Sequence, residues 1–291
     1  MSDQRLCIVG LGLMGGSLAL ALKDKVNYII GVDRHAATRQ QALAEGAVDR
    51  AVKDLASGVA EADLIILATP VRSILAILRD LPALRADGCM VFDLGSTKLA
   101  INEAMSELPE SFSALGGHPM CGKETAGYGA ADADLFQDRT FILTRNKRST
   151  HAVEELVLAI LVEIGANPLF LSAQHHDQLA ATVSHLPYLA SAALMHVASE
   201  QEDPTMWQTS ASGFRDVSRL AGSDPHMLLD ILLTNKAAVL EQLQTYSEEL
   251  TAIKEFLEEE NEDALANWLS GAQRHYITYR QAKKALESDK R

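Results

Sequence analysis

The first 33 residues set the tightest limit on what this chain can fold into. RLCIVG (5–10) is a short, continuously apolar run ending in glycine, and Gly10-Leu11-Gly12-Leu13-Met14-Gly15 follows at once. SLALALKDK (17–25) then has helical character, and YIIGVD (28–33) is a second apolar run closing on Asp33. A G-x-G-x-x-G spacing is weak alone, because glycines recur in many turns. Between a strand and a helix, and ahead of a second strand, it becomes specific for a dinucleotide. Gly10 allows the tight turn, Gly12 lets backbone approach a pyrophosphate, and Gly15 lets the helix pack on the strand. The free N–H groups of the helix start complete an anion site. A carboxylate at Asp33 accepts from ribose hydroxyls and repels a 2′-phosphate, which favours NAD. Arg34 could pair with that phosphate and keeps NADP open. The candidate cofactor residues are Gly10, Gly12, Leu13, Met14, Gly15, Asp33 and Arg34, with Thr69 and Pro70 at the end of a later strand.

The alternation continues. DLIILAT (63–69), CMVFDLG (89–95), SALGG (113–117), TFILT (140–144) and NPLFLS (167–172) read as strands. AATRQQALAEG (36–46), SILAILRDLPAL and KLAINEAMSEL (98–108) read as helices. The strand runs are continuously apolar, the pattern of parallel strands covered on both faces. The expected class is α/β: a Rossmann-type doubly wound parallel sheet over residues 1–171. Ligands of such sheets sit beyond the carboxyl ends of the strands.

After Ser172 the strand pattern stops, and residues 172–291 read as an all-helical C-terminal dimerisation domain. The stretch 173–200 is helical, with a kink or break expected near Ser184–Leu186 because Pro187 lacks an N–H. Asp224 and Pro225 read as N-cap and first residue of another helix. Seam positions then recur from Leu228 through Asn235 and Val239 to Leu257 in steps of three and four. That predicts about 33 residues of unbroken helix, near 50 Å. So long a stripe suggests packing against a second copy in a two-fold dimer, with an intramolecular pair with the segment after Asn261 as the alternative.

Composition removes several classes. The formal net charge is −13, which argues against nucleic acid and anionic membrane surfaces. No apolar run approaches the roughly 18–20 residues that span a bilayer. The opening MSDQRLCIVG lacks a basic leader, so the expected location is cytoplasmic. The three cysteines, Cys7, Cys89 and Cys121, are too widely spaced for a zinc or redox pair, and no metal is expected.

Three polar constellations remain: DLGSTK (93–98), GGHPMCGKETAG (116–127) and SGFRDVSR (212–219). The second, with four glycines around His118, reads as a loop. The order of GLGLMGGSLA, DLGSTK, GGHPMCG, HHD (175–177), SHLPY (184–188) and SGFRDVSRLAGSDP (212–225) resembles the prephenate dehydrogenase family, over about residues 5 to 280. The resemblance implies oxidative decarboxylation of prephenate or arogenate with NAD(P). It implies His118 as catalytic base, Ser96 as its assistant, and Arg219 as the group that binds the ring carboxylate. Glu124 matches an acidic gating position, and His185 matches the histidine of S-H-L/F-P. Tyr188 stands where many prephenate-using members carry a second histidine, and Cys121 stands where alanine is common, which leaves the substrate open between the two. Arg215, four residues before Arg219, joins the substrate-binding candidates if the segment is helical. The chemistry of the residues agrees: a histidine, with an ordinary pKa near 6.5, suits the removal of a hydroxyl proton near neutral pH. The alternatives are a β-hydroxyacid or imine-type dehydrogenase, and a dinucleotide-sensing protein without turnover.

Overall fold

The computed structural model describes residues 4–123, 125–203 and 205–288. It begins with β1 (Arg5–Val9), α1 (Leu13–Leu22), β2 (Tyr28–Val32), α2 (Ala36–Ala44), β3 (Arg50–Val52), α3 (Leu55–Val59), β4 (Leu64–Leu67) and α4 (Val71–Leu84). It continues through β5 (Met90–Asp93), α5 (Leu99–Ser106), β6 (Ser113–Pro119), β7 (Thr140–Thr144), α6 (His151–Glu163) and β8 (Asn167–Leu171). Helices follow: α7 (Ala173–Ala180), α8 (Leu186–Ser199), α9 (Met206–Thr209), α10 (Ser212–Ser218), α11 (Pro225–Thr234), α12 (Lys236–Glu258) and α13 (Glu262–Ser288). By packing, the chain divides into two units, Met1–Val239 and Leu240–Arg291.

The eight strands form one sheet in the order β3-β2-β1-β4-β5-β6-β7-β8. The period of two along each strand sends alternate residues to opposite faces. Leu6, Ile8, Leu64, Ile66 and Phe92 pack with Leu18 and Leu22 of α1, Ala42 of α2, and Val153, Val157 and Ile160 of α6. Cys7, Val9, Ile65, Leu67 and Val91 pack with Val59 of α3, Ile74 and Leu78 of α4, and Ile101 and Met105 of α5. Both faces are covered, which is why the strands lack polar alternation. The order runs outward in both directions from β1 and β4, so the carboxyl ends of those two strands form the switch point.

The sheet is doubly wound as expected, and it is mixed rather than wholly parallel. The first six strands pair parallel, whereas β6 pairs antiparallel with β7, matching His118 with Ile142 and Pro119 with Phe141. A strand buried on both faces reads the same in either direction, so TFILT carried no sign of this. The GGHP segment is the second correction: the strand read at SALGG continues through His118 and Pro119 to the end of β6, and the loop starts only after them. Its glycines serve close approach. A Cβ on Gly117 would lie 2.5 Å from the Phe92 ring, and one on Gly116 would lie 2.3 Å from Thr144 Oγ1. The short β3 and α3, and the helix α6, carried patterns that the sequence reading passed over. The helix α1 starts at Leu13, four residues before the expected Ser17.

In the helical half, Pro187 does not break the helix. It offers no N–H to the carbonyl four residues back, and Ala181–His185 takes a π-helical turn that leads into α8. Asp224 caps α11 as expected, accepting from the His226 N–H at 2.8 Å. The 33-residue helix is not continuous. Asn235, at φ −116° and ψ 31°, ends α11, and α12 starts afresh at Lys236. Within the second unit, the Trp268 indole N–H donates to Glu249 Oε2 at 2.7 Å, so α13 folds back on α12. No described helix is both long and apolar enough to cross a membrane.

Candidate active site

At the carboxyl end of β1 the glycine turn has the shape the spacing implies. Gly10 has φ +93°, and a Cβ there would strike Ala68 O at 2.7 Å. A Cβ on Gly15 would overlap Gly10 O, whereas a Cβ on Gly12 meets nothing within 4 Å. Gly12 is the N-cap of α1 and supplies no side-chain cap, so the first-turn N–H groups that include Leu13, Met14 and Gly15 stay open to an anion. Thr69, after β4, buries a hydroxyl that has no partner among the described residues. It stands beside Pro70, the N-cap of α4. A helix N-terminus without a side-chain cap, glycines that keep the turn clear of side chains and the buried Thr69 hydroxyl fit a dinucleotide pyrophosphate and ribose.

The Asp33 carboxylate accepts the Leu11 N–H at 3.0 Å and the His35 N–H at 2.8 Å. Each oxygen keeps a lone pair for a ribose hydroxyl. The Arg39 guanidinium donates to Asp33 O at 2.7 Å, and Arg34 Nε contacts His35 Nε2 at 3.0 Å. Carboxylate and guanidinium groups therefore share the end of β2.

His118, near the end of β6, is half-buried, and its partner comes from the helical half. His118 Nδ1 lies 2.8 Å from His176 Nε2, with the rings edge to face. His176 Nδ1 lies 2.7 Å from Asp177 Oδ1. His176 and Asp177 sit on α7, whose start is capped by Ser172 accepting from the His175 N–H. The Asp177 carboxylate also accepts the N–H groups of Lys98 at 2.7 Å and Leu99 at 2.9 Å. It thereby supplies the cap that α5 does not provide for itself.

With both imidazoles neutral, the chain of contacts sets the tautomers. A carboxylate only accepts, so His176 carries its proton on Nδ1 and accepts at Nε2. His118 must then donate from Nδ1, which leaves the lone pair of its Nε2 available. Burial first, and then the neighbouring His176, Lys98 and His185, beside which a second positive charge would be repelled, hold His118 well below the ordinary histidine value. It is a neutral imidazole at neutral pH, the form that a base needs.

Beneath His118 lies an ion pair with no exposed surface. Lys98 Nζ donates to Asp93 Oδ2 and, at 2.7 Å, to Gly117 O. Asp93 accepts the Gly117 N–H at 3.1 Å and the Gly95 N–H at 2.7 Å. Burial pushes the Asp93 carboxyl up and the Lys98 ammonium down, against a mutual attraction that acts the other way on each.

The remaining expected residues fall as follows. Ser96 is half-buried on the bend after β5. His185 is buried at the end of the π turn, pushed down to about 4 chiefly by burial. The Asn235 amide lies 3.3 Å from its Nδ1 and donates to Asp177 O at 2.7 Å. Tyr188 is half-buried on α8. Arg219 is exposed on a 3-10 turn, Arg219–Gly222, held to α8 by the Ala221 N–H donating to Ser191 Oγ at 3.0 Å. Ser191 lies about 9 Å along the helix from His185. Arg215 is exposed on α10, beside Asp216. Glu124 lies outside the described residues. The Cys121 thiol is pushed up to about 11 by burial, which leaves it protonated and unreactive. Among the described residues, no cluster of three or more His, Cys, Asp or Glu could hold a metal ion.

The sequence reading did not assign His176, Asp177, Asp93, Lys98 or Asn235. HHD and DLGSTK stood in the motifs, but nothing in a linear sequence pairs residue 118 with residue 176.

A dinucleotide cradle at the switch point, with a neutral imidazole at the end of β6, two strands away in the same sheet, defines an oxidoreductase of the NAD-binding Rossmann class. Comparison with known proteins narrows the class. Residues 18–169 match the family model described as prephenate dehydrogenase, nucleotide-binding domain, and residues 172–271 match prephenate dehydrogenase, dimerization domain. The chain belongs to the prephenate dehydrogenase family. It is 34% identical to the prephenate dehydrogenase of Bacillus subtilis (strain 168) over 271 residues, which is 91% of this chain and 73% of that protein. Among solved structures it is similar to prephenate dehydrogenase from A. aeolicus in complex with hydroxyphenyl propionate and NAD+ (TM-score 0.88, 28% identity, 96% of this chain and 99% of that one). It is also similar to Synechocystis arogenate dehydrogenase (TM-score 0.79, 30% identity, 94% and 99%).

Proposed function

We propose that the chain carries out the NAD(P)-dependent oxidative decarboxylation of prephenate, to 4-hydroxyphenylpyruvate, or of arogenate, to tyrosine. The observation that carries this reading is the chain from His118 through His176 to Asp177, which leaves His118 Nε2 unprotonated. A dinucleotide, when bound, would supply the hydride acceptor. Gly10, Gly12, Leu13, Met14, Gly15, Thr69 and Pro70 would hold its phosphates and first ribose, and Asp33 the adenine-side ribose, with NAD preferred.

His118 takes the proton of the substrate's ring hydroxyl as hydride leaves the same carbon. The positive charge that develops on the imidazole is stabilised by His176 and the Asp177 carboxylate. Arg219 grips the ring carboxylate, fixing it for loss of CO2. The electron pair of the broken C–C bond completes the aromatic ring and reaches the oxygen, which recovers its proton from His118. Ser96 and Tyr188 line the same substrate site. His185 supports it, held neutral by burial, and Arg215 belongs to its rim; the acidic gating role expected of Glu124 falls outside the described residues. The boundary at 171/172 between the cofactor and helical halves is part of this reading.

Incubating the protein with NAD or NADP and either prephenate or arogenate, and following absorbance of the reduced nicotinamide, tests the function, substrate and cofactor together. Silence in all four combinations removes the reading. Arg219→Ala should raise the substrate KM about ten- to hundredfold, the weight of a charge-assisted hydrogen bond, while the KM for the dinucleotide stays put. An unchanged substrate KM takes Arg219 out of the site.

The helical half is proposed to associate as a homodimer. Met227, Leu229 and Leu233 on α11 are exposed, as are Leu250 and Leu257 on α12 and Tyr276 and Tyr279 on α13. Large apolar side chains exposed on successive helices mark association. Light scattering should return twice the monomer mass, and a monomer at micromolar concentration would refute the dimer.

A further inference from the structure

Each residue immediately before the two expected catalytic residues is held by the same buried ion pair. Gly95 precedes Ser96 and donates its N–H to Asp93 Oδ2. Gly117 precedes His118, donates its N–H to Asp93 Oδ1 and receives Lys98 Nζ at its carbonyl. The backbone N–H of Lys98 meets Asp177, which holds His176, which holds His118. The contacts therefore close a ring: from His118 back one residue to Gly117, to the Lys98 side chain, through Lys98 to its own N–H, and by way of Asp177 and His176 to His118 again.

We propose that Lys98, charge-paired with Asp93, is a positioning residue that holds the His118 imidazole in register with His176. The inference rests on His118 being the base. A buried ion pair is weak support for stability, since an apolar pair of similar volume often does as well. Here the pair also gives geometry. Lys98 has no exposed surface through which to touch a ligand, and its ammonium reaches only the strand end that carries His118 and the carboxylate at the end of β5. The groups that face His118 are His176 from α7, His185 from the π turn and Lys98 from the 93–98 segment. Asp93 and Asp177 stand one contact further out. Among these groups Lys98 is the cation, held by its contact with Asp93, and it opposes protonation of His118.

The test is the pair of variants Lys98→Met and Asp93→Asn/Lys98→Met, each compared with His118→Asn. The double variant removes both charges and leaves neither buried alone, which preserves folding. It should lose about 10²-fold in kcat, the effect of a displacement of about 1 Å at a catalytic group, with the KM for the dinucleotide unchanged. Without the ammonium, protonated His118 is no longer repelled, so the acidic limb of kcat/KM should move to higher pH. A folded double variant with the parent kcat, or with lowered kcat and an unmoved limb, overturns the proposal. If His118→Asn itself leaves turnover intact, the base assignment has failed first, and the two failures are told apart.

Discussion

Replacing His118 by asparagine is expected to lower kcat by about 10²–10⁴-fold, the usual contribution of a general base, while the dinucleotide still binds. The separation follows from where the residue stands. His118 is on β6, two strands from β4 and three from β1, whose carboxyl ends carry the cradle. Asparagine is close to the imidazole in reach, and its amide can still donate to His176 Nε2, so the α7 contact survives. What is lost is the Nε2 lone pair. Single-turnover rates with saturating dinucleotide, alongside a direct binding titration of the dinucleotide, separate chemistry from binding. Parent-like turnover would remove the histidine from the mechanism. A parallel loss of dinucleotide affinity would mean that β6 had moved rather than that a base had gone.

The features that were legible in the sequence, and those that were not, divide along physical lines. Gly10, Gly12 and Gly15 declare themselves because their spacing follows from local geometry: one turn, one strand, one helix start. Asp224 and Pro225 do so for the same reason, since a cap and its helix are contiguous. Gly116 and Gly117 misled because glycine signals either a free turn or a close approach. The Phe92 ring and Thr144 hydroxyl that make it the latter come from other strands. Asn235 was counted into an apolar seam. An asparagine among leucines was the available signal that the helix ended there, with its amide drawn away to Asp177 and His185. His176 and Asp177 were visible only as letters in a motif. Their meaning is a contact spanning 58 residues of chain, which no periodicity encodes.

Asp177 should prove nearly as sensitive as His118, for a reason that asparagine exposes. The carboxylate accepts three donors: the N–H groups of Lys98 and Leu99, and Nδ1–H of His176. An amide of the same shape has one accepting oxygen and one donating nitrogen. If the oxygen takes the Oδ1 place, which faces both His176 and the Lys98 N–H, the NH2 group is left against the Leu99 N–H and the negative charge behind the imidazole pair is gone. If the nitrogen faces His176, the ring must flip its proton to Nε2. That places N–H against the N–H of His118, and His118 answers by giving up the tautomer in which its own Nε2 is free. Asp177→Asn is therefore expected to cost about 10²–10⁴ in kcat, the scale seen when the orienting carboxylate of a catalytic triad is neutralised. It should also cost about 1–3 kcal/mol of stability for a buried donor left unmet. The two effects part under measurement. Denaturant unfolding reads the second, and Asp177→Glu, which keeps three-donor capacity, should recover more of the rate than of the stability. If asparagine and glutamate cost the same in kcat, Asp177 is only a helix cap, and the imidazole pair orients itself without it.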